Sequence, residues 1–302
     1  MNQSFQTPIL FVIFNRPDTT QRVFDVIRQQ KPKYLYVAAD GARKNKPGEV
    51  EICQQVRDII KVDWDCELKT LFRDENLGCK MAVSLSITWF FENVEQGIIL
   101  EDDCLPDLSF FPYCEELLER YKDDTRIGHI SGSNFLPDII EEELSYDFCS
   151  CIHIWGWASW RRVWKNYDVN FSFWNAQDDK QSFIFCNKRE EIYFSSFISD
   201  TLNNRNGINT WDTQYLFTLR VQNQLSVYPA VNLVANIGLD NPNATHTGKT
   251  KEKYSIPQSA IYFPLKHPQY VLRNKKLDDK TIQKLFFSWK RLLKYFLFKK
   301  RR

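Results

Sequence analysis

The first 130 residues alternate short apolar runs with amphipathic stretches, and this alternation constrains the fold more than any other feature. Short apolar runs bounded by turn residues are typical of buried strands. They predict strands at Ile9–Phe14, Tyr34–Ala39, Cys66–Phe72, Ile98–Glu101 and Ile127–Ile130. The stretches between them predict helices that begin near Pro17, Glu49, Lys80 and Ser109. Repeated βα units favour an α/β fold, a central, mostly parallel mixed sheet flanked by helices.

The second half of the chain has a different texture. Aromatic residues become frequent from about Cys149, in CIHIWGWASWRRVW. A helix is predicted around Glu190–Leu202, another begins near Trp211, and an extended run covers Ser226–Ile237. We expect this half to wrap the end of the sheet and complete a pocket.

Domain organisation follows from the absence of any repeat, low-complexity tract or Gly/Ser linker in the sequence. We predict a single domain over 1–278, with a first half at 1–130 and a second half at 131–278. A basic amphipathic tail at 279–302 follows it.

Charge is distributed unevenly along the chain. The net charge is only +2, but residues 280–302 hold nine Lys or Arg and no acidic residue. The remainder therefore carries 31 basic against 38 acidic side chains. Because this body is mildly acidic, no nucleic-acid partner is expected.

Cysteine usage and the N-terminus indicate a compartment. The 8 cysteines form no C-x-x-C pair and have no zinc-ligand spacing, which favours a reducing environment. The apolar run Ile9–Phe14 is too short for a signal peptide or a membrane span. A cytoplasmic protein is expected.

The most informative segment is GIILEDDC, residues 97–104, in which an apolar run leads directly into Glu101, Asp102 and Asp103. Ligands of open α/β sheets bind at the carboxyl ends of strands, where these carboxylates fall. In an extended chain Glu101 and Asp103 share one face, and Asp102 points to the other.

Three adjacent carboxylates repel one another unless a cation or a proton offsets their charge. Magnesium or manganese would do so, since one or two carboxylates with substrate phosphates are typical of such sites. The alternative is an acidic, solvated loop ahead of the helix that begins near Ser109.

Five segments in this order, PILFVIFNRP, VAADG, ENLGC, IILEDDC and NTWDTQ, resemble GT-A glycosyltransferases. The resemblance covers roughly residues 8–248 and is greatest to the N-acetylglucosaminyltransferase I-like group and its bacterial relatives. It implies a GT-A fold with a nucleotide-binding half (1–130) and an acceptor or closing half (131–278). It also implies transfer of a hexosyl or N-acetylhexosaminyl group from a nucleotide-diphosphate donor, expected to be a UDP-sugar, to a hydroxyl acceptor.

The resemblance implies roles for the acidic motif and its neighbours. Asp103 would bind Mn²⁺ (or Mg²⁺) directly, with Glu101 and Asp102 assisting at the sugar, the ribose or a metal-bound water. Arg16 would lie near the uracil or the diphosphate. A simple exposed arginine ahead of a helix explains Arg16 equally well.

Two further donor contacts are implied nearby. Asp40 would accept a hydrogen bond from the base, although an Asp-Gly turn at a strand end also explains it. The turn that contains Asn76 would present backbone N–H groups to the donor, or else only begin a helix.

An inverting transfer needs a carboxylate separate from the metal cluster to take the proton of the acceptor hydroxyl. The resemblance implies Asp212 of NTWDTQ, where a first-turn aspartate is the structural alternative. Trp211, with Trp155 and Trp157 of the WGWASW stretch, would line the sugar pocket or belong to the core. His246, in the loop NPNATHTG, would join the metal or a phosphate, or stay exposed in its loop.

The tail combines nine cations with Leu, Phe, Trp and Tyr in residues 280–302. Such a segment suits the surface of an anionic membrane, which would bring the enzyme to a lipid-linked acceptor. Peripheral attachment to the inner face of the membrane is therefore predicted, with packing of the tail on its own domain as the alternative.

Two other functions remain open at this point. A sugar-nucleotide pyrophosphorylase shares this kind of sheet but carries a glycine-rich loop after the first strand, where this chain has FNRPDTTQ. A catalytically inactive nucleotide-sugar or metal-binding module is the other alternative. For the leading function, the acceptor is expected to be a glycan or a lipid-linked sugar in surface polysaccharide synthesis.

Overall fold

The computed structural model describes residues 4–136, 139–176, 184–185, 187–202, 209–239 and 256–286. Within them the chain forms an eight-stranded sheet in the order β3-β2-β1-β4-β8-β6-β9-β7 and a two-stranded sheet of β5 and β10. The strands are β1 (Ile9–Ile13), β2 (Tyr34–Ala39), β3 (Glu67–Phe72), β4 (Gln96–Glu101), β5 (Cys104–Pro106), β6 (Ile127–Ser131), β7 (Tyr146–Cys149), β8 (Trp157–Trp160), β9 (Leu225–Pro229) and β10 (Val234–Asn236).

Helices flank the sheet. They are α1 (Pro17–Gln30), α2 (Glu49–Asp58), α3 (Gly78–Asn93), α4 (Phe110–Arg120), α5 (Arg161–Trp164), α6 (Ser172–Ala176), α7 (Lys188–Leu202), α8 (Asp212–Val221) and α9 (Lys275–Thr281), which continues into a π-helical turn at Ile282–Phe286. The predicted α/β class, with a mostly parallel mixed sheet between helices, is confirmed.

The parallel half follows the sequence pattern closely. Strands β3, β2, β1 and β4 are neighbours and all pair in parallel. Strand β1 is almost wholly buried because helices cover both faces of a parallel sheet, and its apolar run reflects this. The carboxyl ends of β1, β2 and β4 consequently meet at one edge.

The second half differs from the expectation that it only wraps the end of the sheet. Strand β8, which is the WASW part of the aromatic stretch, lies between β4 and β6 and is antiparallel to both. Strands β9 and β7 extend the same sheet beyond β6. Both halves of the chain therefore build one sheet.

An aromatic cluster fastens helix α8 to β8. The ring centroid of Trp157, on β8, lies 4.9 Å from Tyr215 and 5.8 Å from Trp211. Trp164 packs against the same three rings. Large buried rings contribute strongly to core stability, so the start of α8 is held firmly at the sheet.

Seven cysteines lie in the described ranges, and all of them are free thiols. Within these ranges no helix has the length and apolar character needed to cross a bilayer.

Replacing His129 by Gln should flatten the dependence of stability on pH. Burial lowers the pKa of His129 and of His153 to about 3, from the ordinary value of 6.5. Because the folded pKa lies below the unfolded value, only the unfolded chain takes up these protons as the pH falls below 6.5. The stability that the neutral rings allow is complete above that pH and is lost progressively as the pH falls towards 3.

Near pH 5.5, each buried histidine should contribute about 1 kcal/mol per pH unit to the slope of the unfolding free energy. Urea unfolding at several pH values between about 5 and 6.5 measures this slope. The His129→Gln slope should be smaller by that amount, and equal slopes for the two proteins would contradict the assignment.

Candidate active site

Three neighbouring parallel strands deliver the predicted site residues to one edge of the sheet. Strand β1 is followed by Arg16, β2 by Asp40, and β4 ends in Glu101 with Asp102 and Asp103 next. The register pairs Val12 with Glu101 and Ile13 with Ala39, so the three strands end at the same level. This edge is where parallel α/β sheets bind ligands.

Asp102 is occupied by contacts within the chain. One carboxylate oxygen accepts a hydrogen bond from the Phe14 backbone N–H at 3.1 Å, and the other pairs with Arg16 Nη1 at 3.1 Å. The side chain is only 8% exposed, and this burial raises the pKa of its carboxyl to about 7. Asp102 thus joins the end of β4 to the end of β1.

Asp103 also pairs with Arg16, with Nη1 2.5 Å from Oδ2. Its backbone carbonyl accepts a hydrogen bond from Ile237 N at 2.8 Å. The next residue, Gly238, lies directly against the carboxylate: a Cβ at Gly238 would be 2.5 Å from Oδ2. The segment after β10 therefore begins beside Asp103.

Glu101 accepts no hydrogen bond from the described residues, although its carboxyl lies among charges. Burial, with repulsion from Asp103 and then Asp102, raises its pKa to about 8, and Arg16 opposes this shift. Such a group holds a proton readily unless a further cation arrives. Repulsion from Asp212 adds to this shift of the pKa.

Asp40 differs from its predicted role as an acceptor for a nucleotide base. Its two oxygens accept hydrogen bonds from Asn76 Nδ2 at 2.9 Å, from Leu77 N at 3.0 and 3.1 Å, and from Gly78 N at 3.1 Å. The N–H groups predicted to face a donor therefore point to Asp40 instead. Burial raises the pKa of Asp40 against the opposing effect of these backbone donors.

Asp212 is the first residue of α8, as the sequence predicts. Oδ1 accepts hydrogen bonds from the Thr210 hydroxyl and from Thr213 N, the latter at 2.8 Å. Its Oδ2 accepts none within the described ranges. Asn209, three residues earlier, accepts a hydrogen bond from Lys80 N at 3.3 Å, which ties this loop to the start of α3.

Trp211 lies in the core and not on a pocket wall. Its ring is 2% exposed and packs in the aromatic cluster, and Tyr167 donates a hydrogen bond to its carbonyl. Trp157 is fully buried in the same cluster, whereas Trp155 keeps partial exposure. Because the ring is packed in the core, neither of its faces is available to line a sugar pocket, which was its predicted role.

Cys79 lies among the charged residues of the candidate site, and no motif in the sequence pointed to it. Its thiol is exposed, yet desolvation by the surrounding protein, with repulsion from Glu101 and Asp212, raises its pKa to about 12. Arg16 and Asp40 act on it as well. The charges of residues that follow β1 and β2, end β4 and begin α8 therefore all act on this one thiol.

Sequence analysis did not identify Glu49 as a neighbour of the residues that follow β1. Glu49 accepts hydrogen bonds from Asn15 Nδ2 at 2.9 Å and from Arg43 N at 2.7 Å. The Arg43 guanidinium, the largest influence, lowers the pKa of Glu49 to about 2. This network holds Asn15 next to Arg16, and only the three-dimensional contact reveals it. His246 lies outside the described residues.

The donor chemistry of the site suits a divalent cation that is shared with a substrate. Within the described ranges, no three His, Cys, Asp or Glu side chains form a ready metal cage. Magnesium sites in nucleotide-dependent enzymes need only one or two carboxylates together with phosphate oxygens. Asp103, 15% exposed at a strand end, meets this lower requirement.

A cavity of about 660 Å³ lies away from this edge. One side is formed by the end of α4 and the loop that leads to β6, and the other side by the segment 268–272. Its lining residues include Arg120, Tyr121 and Tyr270 but none of the predicted site residues. The chemistry of its side chains, and not this cavity, marks the acidic edge as the candidate site.

No protein-family model matches the chain, and no curated protein matches it. Among solved structures, it is similar to the mannosyltransferase PcManGT from Pyrobaculum calidifontis in complex with GDP-Man and Mn²⁺, at 14% identity and a TM-score of 0.39. That match covers 60% of this chain and about half (52%) of the mannosyltransferase. HddC from Yersinia pseudotuberculosis matches at 10% identity over 55% of this chain and 83% of its own, with a TM-score of 0.33. TM-scores this low carry no argument about function.

Replacing Asp40 by Ala should destabilise the fold by about 2 kcal/mol, since three partly buried donors lose their acceptor at the start of α3. Urea unfolding measures the change. Asp65→Ala is the matched control, because Asp65 is 87% exposed and its loss should cost less than about 0.5 kcal/mol. Equal, small effects of both substitutions would show that Asp40 does not hold this turn.

Proposed function

We propose that this chain is a metal-dependent glycosyltransferase of the GT-A type, which moves a sugar from a UDP-linked donor to a hydroxyl acceptor with inversion. One observation carries the proposal: Asp103 follows β4 at the edge where β1, β2 and β4 end, and the loop before Asp212 is tied to the start of α3 at that edge by the hydrogen bond from Lys80 N to Asn209. A metal-side carboxylate opposite a separate carboxylate is the pair that such a transfer needs.

The donor side of the cleft is assigned to the residues after β1 and β4. Asp103 would hold Mn²⁺ or Mg²⁺ between itself and the diphosphate, and the ion would stabilise the leaving diphosphate as a Lewis acid. Glu101, free of hydrogen bonds from the described residues, would meet the sugar or a metal-bound water. Arg16 would contact the diphosphate with its planar guanidinium.

Four residues with predicted donor contacts change their role in this proposal. Asp40 and Asn76 position the start of α3 through the hydrogen bonds between them and so act on the donor indirectly. Asp102 positions Arg16 and the end of β1. Trp211 fixes the start of α8. His246 remains a predicted second ligand of the metal.

Asp212 is assigned as the base that takes the proton of the acceptor hydroxyl. Oδ1 is oriented by Thr210 and Thr213, which leaves Oδ2 for the acceptor. The aromatic cluster around Trp211 keeps the start of α8, and with it Asp212, in place. A fixed base aimed at one point is worth several orders of magnitude in rate.

The transferred group is proposed to be a hexosyl or N-acetylhexosaminyl unit, and the acceptor a glycan or a lipid-linked sugar in surface polysaccharide synthesis. Residues 279–302 would hold the enzyme on the inner face of an anionic membrane. The assay that tests the core of the proposal needs neither the tail nor a known acceptor.

A panel of nucleotide sugars should give Mn²⁺-dependent release of free UDP from one donor, with a transferred or hydrolysed sugar as the second product. Asp103→Ala should lower this rate about 100-fold or more by removing the metal contact. Asp212→Asn should lower transfer to an added acceptor by about 100-fold to 10,000-fold. Asp65→Ala, at an exposed position, should not change either rate.

Other products would contradict the proposal in distinct ways. Release of pyrophosphate would identify a pyrophosphorylase. Binding of UDP and Mn²⁺ without turnover of any donor would identify an inactive binding module.

Gly238→Ala should weaken Mn²⁺ binding in the presence of UDP about tenfold. The added methyl group would lie 2.5 Å from Asp103 Oδ2 and would displace the carboxylate. Asp65→Ala is the control, because that side chain is 87% exposed. Calorimetry on both variants checks the result, and unchanged affinity in Gly238→Ala would argue against Asp103 as a ligand.

A further inference from the structure

The Arg16 guanidinium already occupies the carboxylates that are assigned to the metal. Its Nη1 lies 2.5 Å from Asp103 Oδ2 and 3.1 Å from Asp102 Oδ1. The side chain of Arg16 is only 20% exposed, that of Asp103 15% and that of Asp102 8%. Partly buried, charge-assisted hydrogen bonds of this kind are strong, so this arrangement is the resting state of the cleft.

Asp103 has little freedom to turn away from Arg16. Gly238 lies so close to Oδ2, the oxygen that pairs with Arg16, that a methyl group there would be only 2.5 Å from it. The other oxygen, Oδ1, has only a weak contact with Cys104 Sγ at 3.5 Å. A cation that binds Asp103 must therefore approach a carboxylate whose charge is already paired with a guanidinium, and two cations on one carboxylate repel each other.

A diphosphate would change this balance. Its oxygens offer the guanidinium a bidentate partner, which a planar fork of N–H donors binds better than it binds two separate carboxylates. Within the described ranges, Arg16 has no carboxylate partner except Asp102 and Asp103. If Arg16 moves to the diphosphate, Asp103 becomes free for a metal ion.

We propose that Arg16 is a counter-ion that a divalent cation must displace from Asp103, so that the cation binds tightly only together with a diphosphate that accepts the released guanidinium. This deepens, and rests on, the role proposed for the site. Metal and nucleotide would then strengthen each other's binding by the same factor, as linkage requires. Arg16 acts here as a positioning residue.

Mn²⁺ binding measured by electron paramagnetic resonance, with and without UDP, tests the proposal on the full chain. Wild-type protein should bind Mn²⁺ alone weakly and bind it much more tightly with UDP. Arg16→Gln should bind Mn²⁺ alone about tenfold more tightly, and the strengthening by UDP should shrink about tenfold. Arg28→Gln, which removes the same charge from an exposed pair with Asp63, should match the wild type.

The sign of the change is decisive. If Arg16 only orients Asp103 or only contacts the diphosphate, Arg16→Gln binds Mn²⁺ alone more weakly or equally, and the counter-ion role is overturned. If the wild type binds no Mn²⁺ even with UDP, the metal role of the site fails as well. Should Arg16→Gln fail to fold, Arg16→Lys replaces it. Because an ammonium makes fewer contacts with the two carboxylates than a guanidinium, this variant should bind Mn²⁺ alone more tightly than the wild type does. An unchanged affinity of Arg16→Lys for Mn²⁺ overturns the proposal.

Discussion

The repulsion among three successive carboxylates at the end of β4 is the constraint on which the cleft depends. The chain offsets it with one guanidinium and one backbone N–H group, which both come from the end of β1. The balance is incomplete, because burial and the neighbouring charges still raise the pKa of Glu101 to about 8. A carboxyl in this environment takes up a proton unless a further cation stabilises its ionised form, and this links the fold to the proposed chemistry.

The acidic residues of the cleft divide into two kinds. Asp40 and Asp102 are saturated by contacts within the chain and hold the ends of β1, β2 and α3 together. Glu101 and Asp212 each keep at least one oxygen that no described residue contacts. Groups of the first kind give the cleft its shape, and those of the second kind remain available to a ligand, since a buried carboxylate can do only one of these tasks well.

Sequence patterns predicted the parallel half well because its signals are local. Apolar runs and turn residues predicted β1 to β4, and the starts of the helices between them, to within two residues. The insertion of β8 between β4 and β6 was missed, since antiparallel pairing between distant segments leaves no trace in local periodicity. Motifs singled out Glu101 to Asp103 and Asp212 as candidates, but they could not tell that Trp211 is core and that Asp40 accepts hydrogen bonds from the start of α3, because burial and contact partners decide both.

A crystal structure with Mn²⁺ and a UDP-sugar analogue tests the central claim most directly, through the anomalous signal of manganese. The account predicts one manganese peak within coordination distance of the Asp103 carboxylate and the diphosphate, with the anomeric carbon between that ion and Asp212. A nucleotide bound elsewhere, for example in the cavity beside Arg120, or a manganese peak away from Asp103, would contradict it.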